Sequence, residues 1–559
     1  MNQTTDSWKI FAAWLASLFL TALGAQLWIS WLYGSPLPIW DQWYEASFFK
    51  SWVAGNLKWT DFFAGHNEHR MFATRLLDVT LIWLNGRWEP LLQMAANAFI
   101  HAAFACGLAV CLWHFFGRKN GWLVCFLLMP FFAFPYWGEN AIWGINSLYC
   151  FMDIFAVATL AGLGFGKAES WSWWVGGAAA ILGLFTVASG MLAPAAVCGL
   201  IILRALKDRR LVKGNLITLA LCIAVFVLGA MLNVTIDQDH SFQAHSFLEF
   251  TAALTRNLSW PLYHLPIAPC LIILPLALLL AFYLRPNFPQ PRTAEFLLLL
   301  ALWSAMQSVA IAYGRANYGG DIPSSRYTDI FNILVIASVF AAVLLAQLWD
   351  RNRLRNGFLA AVYVGIIFCS LGNFSQIVVS HLLAPTRMWN LVAEERVERF
   401  LANGNETDFL ERPTVRPDPQ LALTVLRDPQ LQTILPVSCL APSPAPKTGR
   451  LMGFTEWLLT HSIAILSAGL ILFIGLCAYG LVRGGALGVP ALGIPIMSLP
   501  GIFALSAGLF ALVIVWSKHS VTRESVEYDL QREIAANFKT AGNLKRAEIH
   551  EQKAEQLKP

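Results

Sequence analysis

The chain has 559 residues, of which 57% are hydrophobic and only 13% charged, with a formal net charge of +5. A soluble chain carries roughly one quarter charged residues, so a soluble globular domain is excluded. The basic residues collect in separate loops without interleaved aromatics, which is the pattern of membrane topology and argues against nucleic acid as a partner.

Long apolar runs alternate with short polar ones, and runs of roughly 18 or more apolar residues read as spanning helices. Lys9 precedes the first run, Ile10 to Trp31, which is too long for a signal-peptide core and reads as an uncleaved first span. In chain order the expected spans lie at 10–33, 91–116, 121–136, 141–165, 172–188, 191–206, 215–233, 265–284, 294–313, 328–349, 357–380, 455–482 and 492–516. That predicts an all-α polytopic membrane protein of about 13 transmembrane helices, within a range of 11–14. The third span is short, and "ASGM" forms a tight turn between the fifth and sixth. Nine of the ten cysteines lie in apolar segments and only Cys439 in a polar loop, so no disulfide framework is expected.

"GRKN", "RALKDRRLVKG", "RPNFPQPR" and "DRNRLRN" fall on one side if the spans alternate, and that side is cytoplasmic. Loop 34–90, "YWGEN", "ASGM", 234–264, 314–327 and 381–454 face the opposite, extracytoplasmic side. Within 34–90, "WDQWYEASFFKSWVAG" and "MFATRLLDVTLIWLNG" read as amphipathic juxtamembrane helices, with polar "GHNEHR" between them. The chain divides into a module at 1–380, a small extracytoplasmic loop subdomain at 381–454 with no evident core of its own, C-terminal helices at 455–516 and a charged helical tail at 517–559. The tail resembles a single tetratricopeptide repeat through Ala535, Phe538, Gly542, Ala547, Ala554 and Pro559. One repeat cannot bury its own apolar face and must dock on something; thirteen spans would put it outside the cytoplasm.

The first loop concentrates ionisable groups. Asp41 follows the first span beside Trp40 and Trp43; a carboxyl group desolvated against aromatics binds its proton more tightly, which suits a general base. It also stands where a helix N-cap belongs. Glu45, one helical turn later, should share its face. His66, Glu68 and His69, with these carboxylates, form a candidate Mg2+ or Mn2+ site, although Arg70 and Arg75 could instead neutralise the carboxylates. On the same side, "AYGRANYGGDIPSSRYTD" carries Arg315, Tyr318, Arg326 and Tyr327, and "TRNLSWPLYHLP" adds Arg256 and His264. Arginine grips phosphate in two places, or else meets lipid headgroups.

Together "PIWDQWYE" between two juxtamembrane helices, "GENAIWGINSLYCF", "ASGMLAP" and "YGRANYGG…SSRYTD" resemble the GT-C superfamily of polytopic glycosyltransferases. The resemblance covers most of the first 380 residues. It implies a polyprenyl-phosphate sugar donor, a cell-envelope glycan or lipid acceptor, inversion at the anomeric carbon, a catalytic carboxylate and, in some members, a divalent metal. It also implies a bacterial inner-membrane location with the active face extracytoplasmic. The adjacent acidic pair of several such families is absent, because Gln42 follows Asp41; the base stays open among Asp41, Glu45 and Glu68, with Arg315, Arg326, Arg256 and His264 on the donor phosphate. A transporter or flippase for a lipid-linked glycan would call for charges deep within spans, whereas the conspicuous charges here lie at loop edges. An O-antigen-type polymerase or ligase would build its cavity from the later loop, 381–454.

Overall fold

The structure is a computed structural model that describes residues 3–116, 120–210, 212–234, 237–263, 265–318, 322–348, 353–410, 418–441, 447–482 and 522–558. Helices dominate it, and among the described residues the sole sheet is a hairpin of two two-residue strands. Among the described residues ten helices are long and apolar enough to cross a membrane, so the protein is an all-α, multi-pass membrane protein. Ten of the thirteen expected spans are among them. The span expected at 492–516 lies outside the described residues.

The chain starts with α1 (Gln3–Tyr33). In the first loop come α2 (Ala46–Val53) and the hairpin strands β1 (Gly65–His66) and β2 (His69–Arg70), followed by α3 (Phe72–Asn85). The juxtamembrane expectation divides here. The apolar face of α2 does not lie on a bilayer: Trp43, Phe48 and Phe49 are buried with Trp88 in a second core that also takes Phe400, Leu423, Leu426 and Leu435. Residues 381–454 therefore share one apolar core with the first loop. Helix α3 buries Thr74, Arg75 and Asp78 and exposes Leu76, Trp83 and Leu84, an outward apolar face suited to the lipid interface.

Next come α4 (Pro90–Phe116) and α5 (Gly121–Ala133), then the short α6 (Gly138–Ile142) and α7 (Ser147–Phe165). Every residue from Gly121 to Ile142 is buried. "YWGEN", expected as an extracytoplasmic loop, is packed inside the protein, with Tyr136, Trp137, Glu139 and Asn140 all buried. Helix α5 ends where Phe134 turns extended ahead of Pro135. Protein rather than lipid surrounds this irregular backbone, so its polar groups can be satisfied.

Helix α8 (Trp171–Gly183) has 13 residues, about 20 Å at 1.5 Å per residue, too short for roughly 30 Å of hydrocarbon. It corrects the span expected at 172–188. It packs on α7 where two glycines meet: a Cβ on Gly162 would fall 2.6 Å from the Gly176 Cα, the close approach that small residues permit. Helices α9 (Leu192–Asp208), α10 (Lys213–Met231), α11 (Phe247–Ser259), α12 (Ala268–Tyr283), α13 (Pro291–Gly314) and α14 (Thr328–Leu348) follow. Helix α12, expected to span at 265–284, has only 16 residues.

Helix α15 (Arg353–Val378) continues through a π-helical turn, Val379–Leu383, into α16 (Ala384–Asn403), so one helical run leads from the apolar bundle into the soluble-side core. The short α17 (Glu406–Leu410) and α18 (Pro419–Arg427) complete that core, and α19 (Met452–Thr460) and α20 (Ser462–Val482) return to the bundle. Helix α20 runs antiparallel to α1, with Ser17 Oγ donating to the Gly469 carbonyl at 2.9 Å. The tail forms α21 (Arg523–Thr540) and α22 (Leu544–Gln556). Its Leu530, Ile534, Phe538 and Ala547 bury against Leu391 and Val392 of α16, which supplies the docking surface a lone repeat needs. Arg523 donates to the Trp31 carbonyl at the end of α1 (3.1 Å), which places the tail on the side of the first loop.

Candidate active site

Asp41 sits in a 3-10 turn, Trp40–Glu45, entered through Trp40 at φ +49°, a left-handed conformation that costs a bulky residue energy. The 3-10 geometry overturns the expectation that Asp41 and Glu45 share a face. At three residues per turn, the fourth residue along points about a third of a turn away. Asp41 thus borders a cavity of about 530 Å³, while Glu45 turns inward and is buried.

Glu45 meets a clamp there. Arg75 Nε and Nη2 donate to its two carboxylate oxygens at 2.8 Å each, and His66 Nδ1 lies 2.7 Å from Oε1. Burial alone would raise the Glu45 carboxyl, but the hydrogen bonds and charges of Arg75 and His66 overcome it and hold it down at about 2. Arg75 Nη1 also donates to the Asp61 and Ala64 carbonyls at 3.0 and 2.7 Å, tying the segment ahead of the hairpin to α3.

"GHNEHR" folds as that hairpin, Gly65 opposite Arg70 and His66 opposite His69, turning through Asn67 at φ +51°. Its Asn67, Glu68 and flanking histidines line the cavity. Asn67 donates to Asp41 Oδ2 at 3.3 Å, and Glu68 forms an ion pair with Arg315. His66 Nε2 is buried with no hydrogen-bond partner among the described residues. His69 Nε2 stands 3.6 Å from Glu68, and its Nδ1 accepts from the Ala188 amide at 3.4 Å. Arg70 does not reach the cavity wall; it donates to the Leu232 and Phe63 carbonyls at 3.0 and 2.8 Å.

From the other end of the chain, Arg315, Tyr318, Arg326 and Tyr327 line the same cavity. The Arg326 guanidinium lies 5.2 Å from the Trp143 ring, 5.1 Å from Tyr318 and 5.7 Å from Tyr327, and bonds the Tyr318 hydroxyl. Burial raises the Tyr318 phenol, against the lowering pull of Arg326. Buried Glu139, which the sequence reading passed over, fixes this segment: it accepts from Ser324 Oγ (2.5 Å), Ser325 Oγ (2.9 Å) and the Arg326 amide (3.0 Å), and lies 3.6 Å from Arg326 Nε. Arg256 reaches the Ala316 carbonyl at 3.5 Å and is not part of the wall. His264 lies outside the described residues.

A second cavity of about 350 Å³ adjoins the first, and Glu68, His69, Tyr149, Arg315 and Tyr327 border both. Its remaining wall is mostly apolar, including Val187, Met191, Leu192, Val234 and Ile311. A charged chamber with two arginines opening beside an apolar one suits an amphiphile that carries an anionic head on an apolar body.

The donor set for a divalent cation is poor. Arg75 covers the Glu45 carboxylate, and Arg315 covers that of Glu68. Hard cations need uncommitted oxygen ligands, and among the described residues no group of three or more His, Cys, Asp or Glu side chains converges as metal ligands. These residues do not fit the Mg2+ or Mn2+ suggested by the loop's composition.

Ionisable groups also occur deeper, contrary to the expectation from loop edges. His101 of α4 and Asp153 of α7 lie within spans, and His101 Nε2 stands 3.9 Å from Asp329 Oδ1 at the start of α14. Asn140 donates to Asp329 at 2.8 Å, while Asp153 Oδ1 has no hydrogen-bond partner among the described residues. Asp153 was legible as the lone acid in "LYCFMDIFAVATL". Comparison of the chain with protein families, curated proteins and solved structures returns no match.

Proposed function

We infer that this chain is a membrane glycosyltransferase that moves a sugar from a polyprenyl-phosphate donor to a hydroxyl acceptor of the cell envelope. One observation carries the reading: Asp41 and Glu68 of the first loop line one cavity with Arg315 and Arg326 of a loop far along the chain, beside an apolar chamber. The side of the membrane, extracytoplasmic, and the bacterial inner membrane follow from the distribution of Lys and Arg and from the GT-C resemblance.

Of the three carboxylates, Asp41 is the most available as base. Glu45 is clamped by Arg75 and His66, Glu68 is paired with Arg315, and among the described residues Asp41 holds a single hydrogen bond, from Asn67. In the reaction the acceptor O–H gives its proton to Asp41, and its oxygen forms a bond to the anomeric carbon from the face opposite the phosphate. The bond from that carbon to the phosphate oxygen breaks, and its electron pair leaves on polyprenyl phosphate, held by Arg315 and Arg326. Positioned charges of this kind act where charge develops, and His66 Nε2 supplies a further hydrogen-bonding atom in the same wall.

Among the described residues, the wall of this cavity includes six first-loop residues from Asp41 to His69 and none from 381–454, which favours a transferase over a polymerase or ligase. The flippase reading draws support from His101, Asp153 and Asp329, although none of them borders either cavity. Purified protein in nanodiscs, given short-chain polyprenyl-phosphate hexoses and envelope extract, should consume donor and release polyprenyl phosphate. In proteoliposomes, donor that changes leaflet uncleaved would instead establish transport.

A further inference from the structure

A third cavity, about 190 Å³, lies between the entry segment Ser35–Trp40 and the helical run from His381 to Ala393. Trp40 borders both it and the charged chamber, so this groove meets the proposed active site at the residue next to Asp41. Its chemistry differs from that of the chamber. Among the described residues no Asp, Glu, Lys or Arg lines it, and His381 is its one titratable side chain. Two indoles, Trp40 and Trp389, stand in its wall, and Trp389 is 44% exposed. Asn390, only 9% exposed, carries an amide nitrogen that is buried with no hydrogen-bond partner among the described residues.

A buried amide left unpaired costs about 1–3 kcal/mol, and such a group in a cavity wall is satisfied when a ligand or water accepts its hydrogen bond. The groove sits at the π turn Val379–Leu383, a local widening of the helix that recurs at functional sites. Aromatic faces fit the C–H faces of a pyranose ring, while a side-chain amide, an imidazole and the Thr386 hydroxyl fit its hydroxyl groups. Without a fixed cation, the groove offers nothing to select a phosphate or carboxylate.

We propose that this groove binds an uncharged sugar residue of a glycan acceptor and presents its hydroxyl past Trp40 to Asp41. The acceptor class is therefore a neutral glycan rather than a phosphorylated lipid headgroup. The assignment rests on the transferase reading; the sugar-binding chemistry of the groove does not.

Full-length protein in nanodiscs is labelled with diazirine-bearing methyl hexosides of the gluco, galacto and manno series, and modified peptides are mapped by mass spectrometry. The label is expected within 35–40 and 381–393, displaced by unmodified hexoside and not by inorganic phosphate. Trp389→Ala, at a position 44% exposed, and Asn390→Leu, each with the melting temperature of the wild-type protein as a check on folding, should lower it at least tenfold. Label elsewhere, label unchanged in both variants, or displacement by phosphate would overturn the sugar site. Donor consumption by the wild-type protein is read in parallel. Groove labelling without donor consumption would refute the acceptor role through failure of the transferase reading, whereas donor consumption with no groove labelling would refute the groove alone.

Discussion

Replacing Glu45 by Gln tests the clamp that positions the cavity wall. The carboxylate accepts from two Arg75 nitrogens and contacts His66, all within 2.8 Å and almost fully buried. A carboxyl held at about 2 instead of 4.5 corresponds to about 3 kcal/mol, and breaking a buried pair by removing one partner costs about 3–5 kcal/mol, so the two routes agree. Because the folded value is depressed, this stability is present above pH 4.5 and is lost as pH falls toward 2. Thermal unfolding in nanodiscs, with limited proteolysis of the first loop as a local readout, should show Glu45→Gln destabilised by about 3 kcal/mol at neutral pH and insensitive to acid in that window. Arg75→Met in the same chain should recover part of the loss by removing the stranded charge. A loss below about 1 kcal/mol, or strict additivity of the two changes, would refute the clamp.

Asp78 is buried and accepts from Gln93 at 2.5 Å; burial pushes its carboxyl up to about 8. Its contribution to stability is full below the ordinary value of 3.8 and declines until about pH 8, so Asp78→Asn should flatten the melting-temperature profile across that range. Arg315→Gln removes a charge-assisted phosphate contact worth about 1.5–3 kcal/mol and should lower kcat/KM for the donor about 10–100-fold, measured as released polyprenyl phosphate. Glu527 bridges Arg387 and Arg523 at 2.6 and 2.8 Å; Glu527→Ala should free the tail from α16 and speed its cleavage by protease, with the bundle unaffected.

Much of the architecture was legible because apolar runs of sufficient length have one outcome in a bilayer, and ten of the thirteen expected spans are present among the described residues. The failures have physical causes. Segment 172–188 is apolar enough but breaks after Gly183, because the chain turns at "ASGM". "YWGEN" read as a loop because composition cannot distinguish water from a polar protein interior, where Glu139 is satisfied by Ser324, Ser325 and the Arg326 amide. At the site, loop sidedness brought Asp41, Glu68, Arg315 and Arg326 to one cavity. What sequence could not supply was rotation about the chain axis: a 3-10 turn instead of an α-helix separates Glu45 from Asp41, and the pairing of "GHNEHR" brings His66 Nδ1 onto the buried Glu45 carboxylate.

The central claim is that Asp41 takes the acceptor proton in a transfer fed by a lipid-phosphate sugar. The most direct measurement is transfer from polyprenyl-phosphate hexose by Asp41→Asn in nanodiscs, alongside wild type and with donor binding measured separately. General-base contributions run about 100- to 10,000-fold, so the variant should lose at least about 100-fold in kcat while binding donor as wild type does and melting at the same temperature. Wild-type turnover by Asp41→Asn would contradict the account.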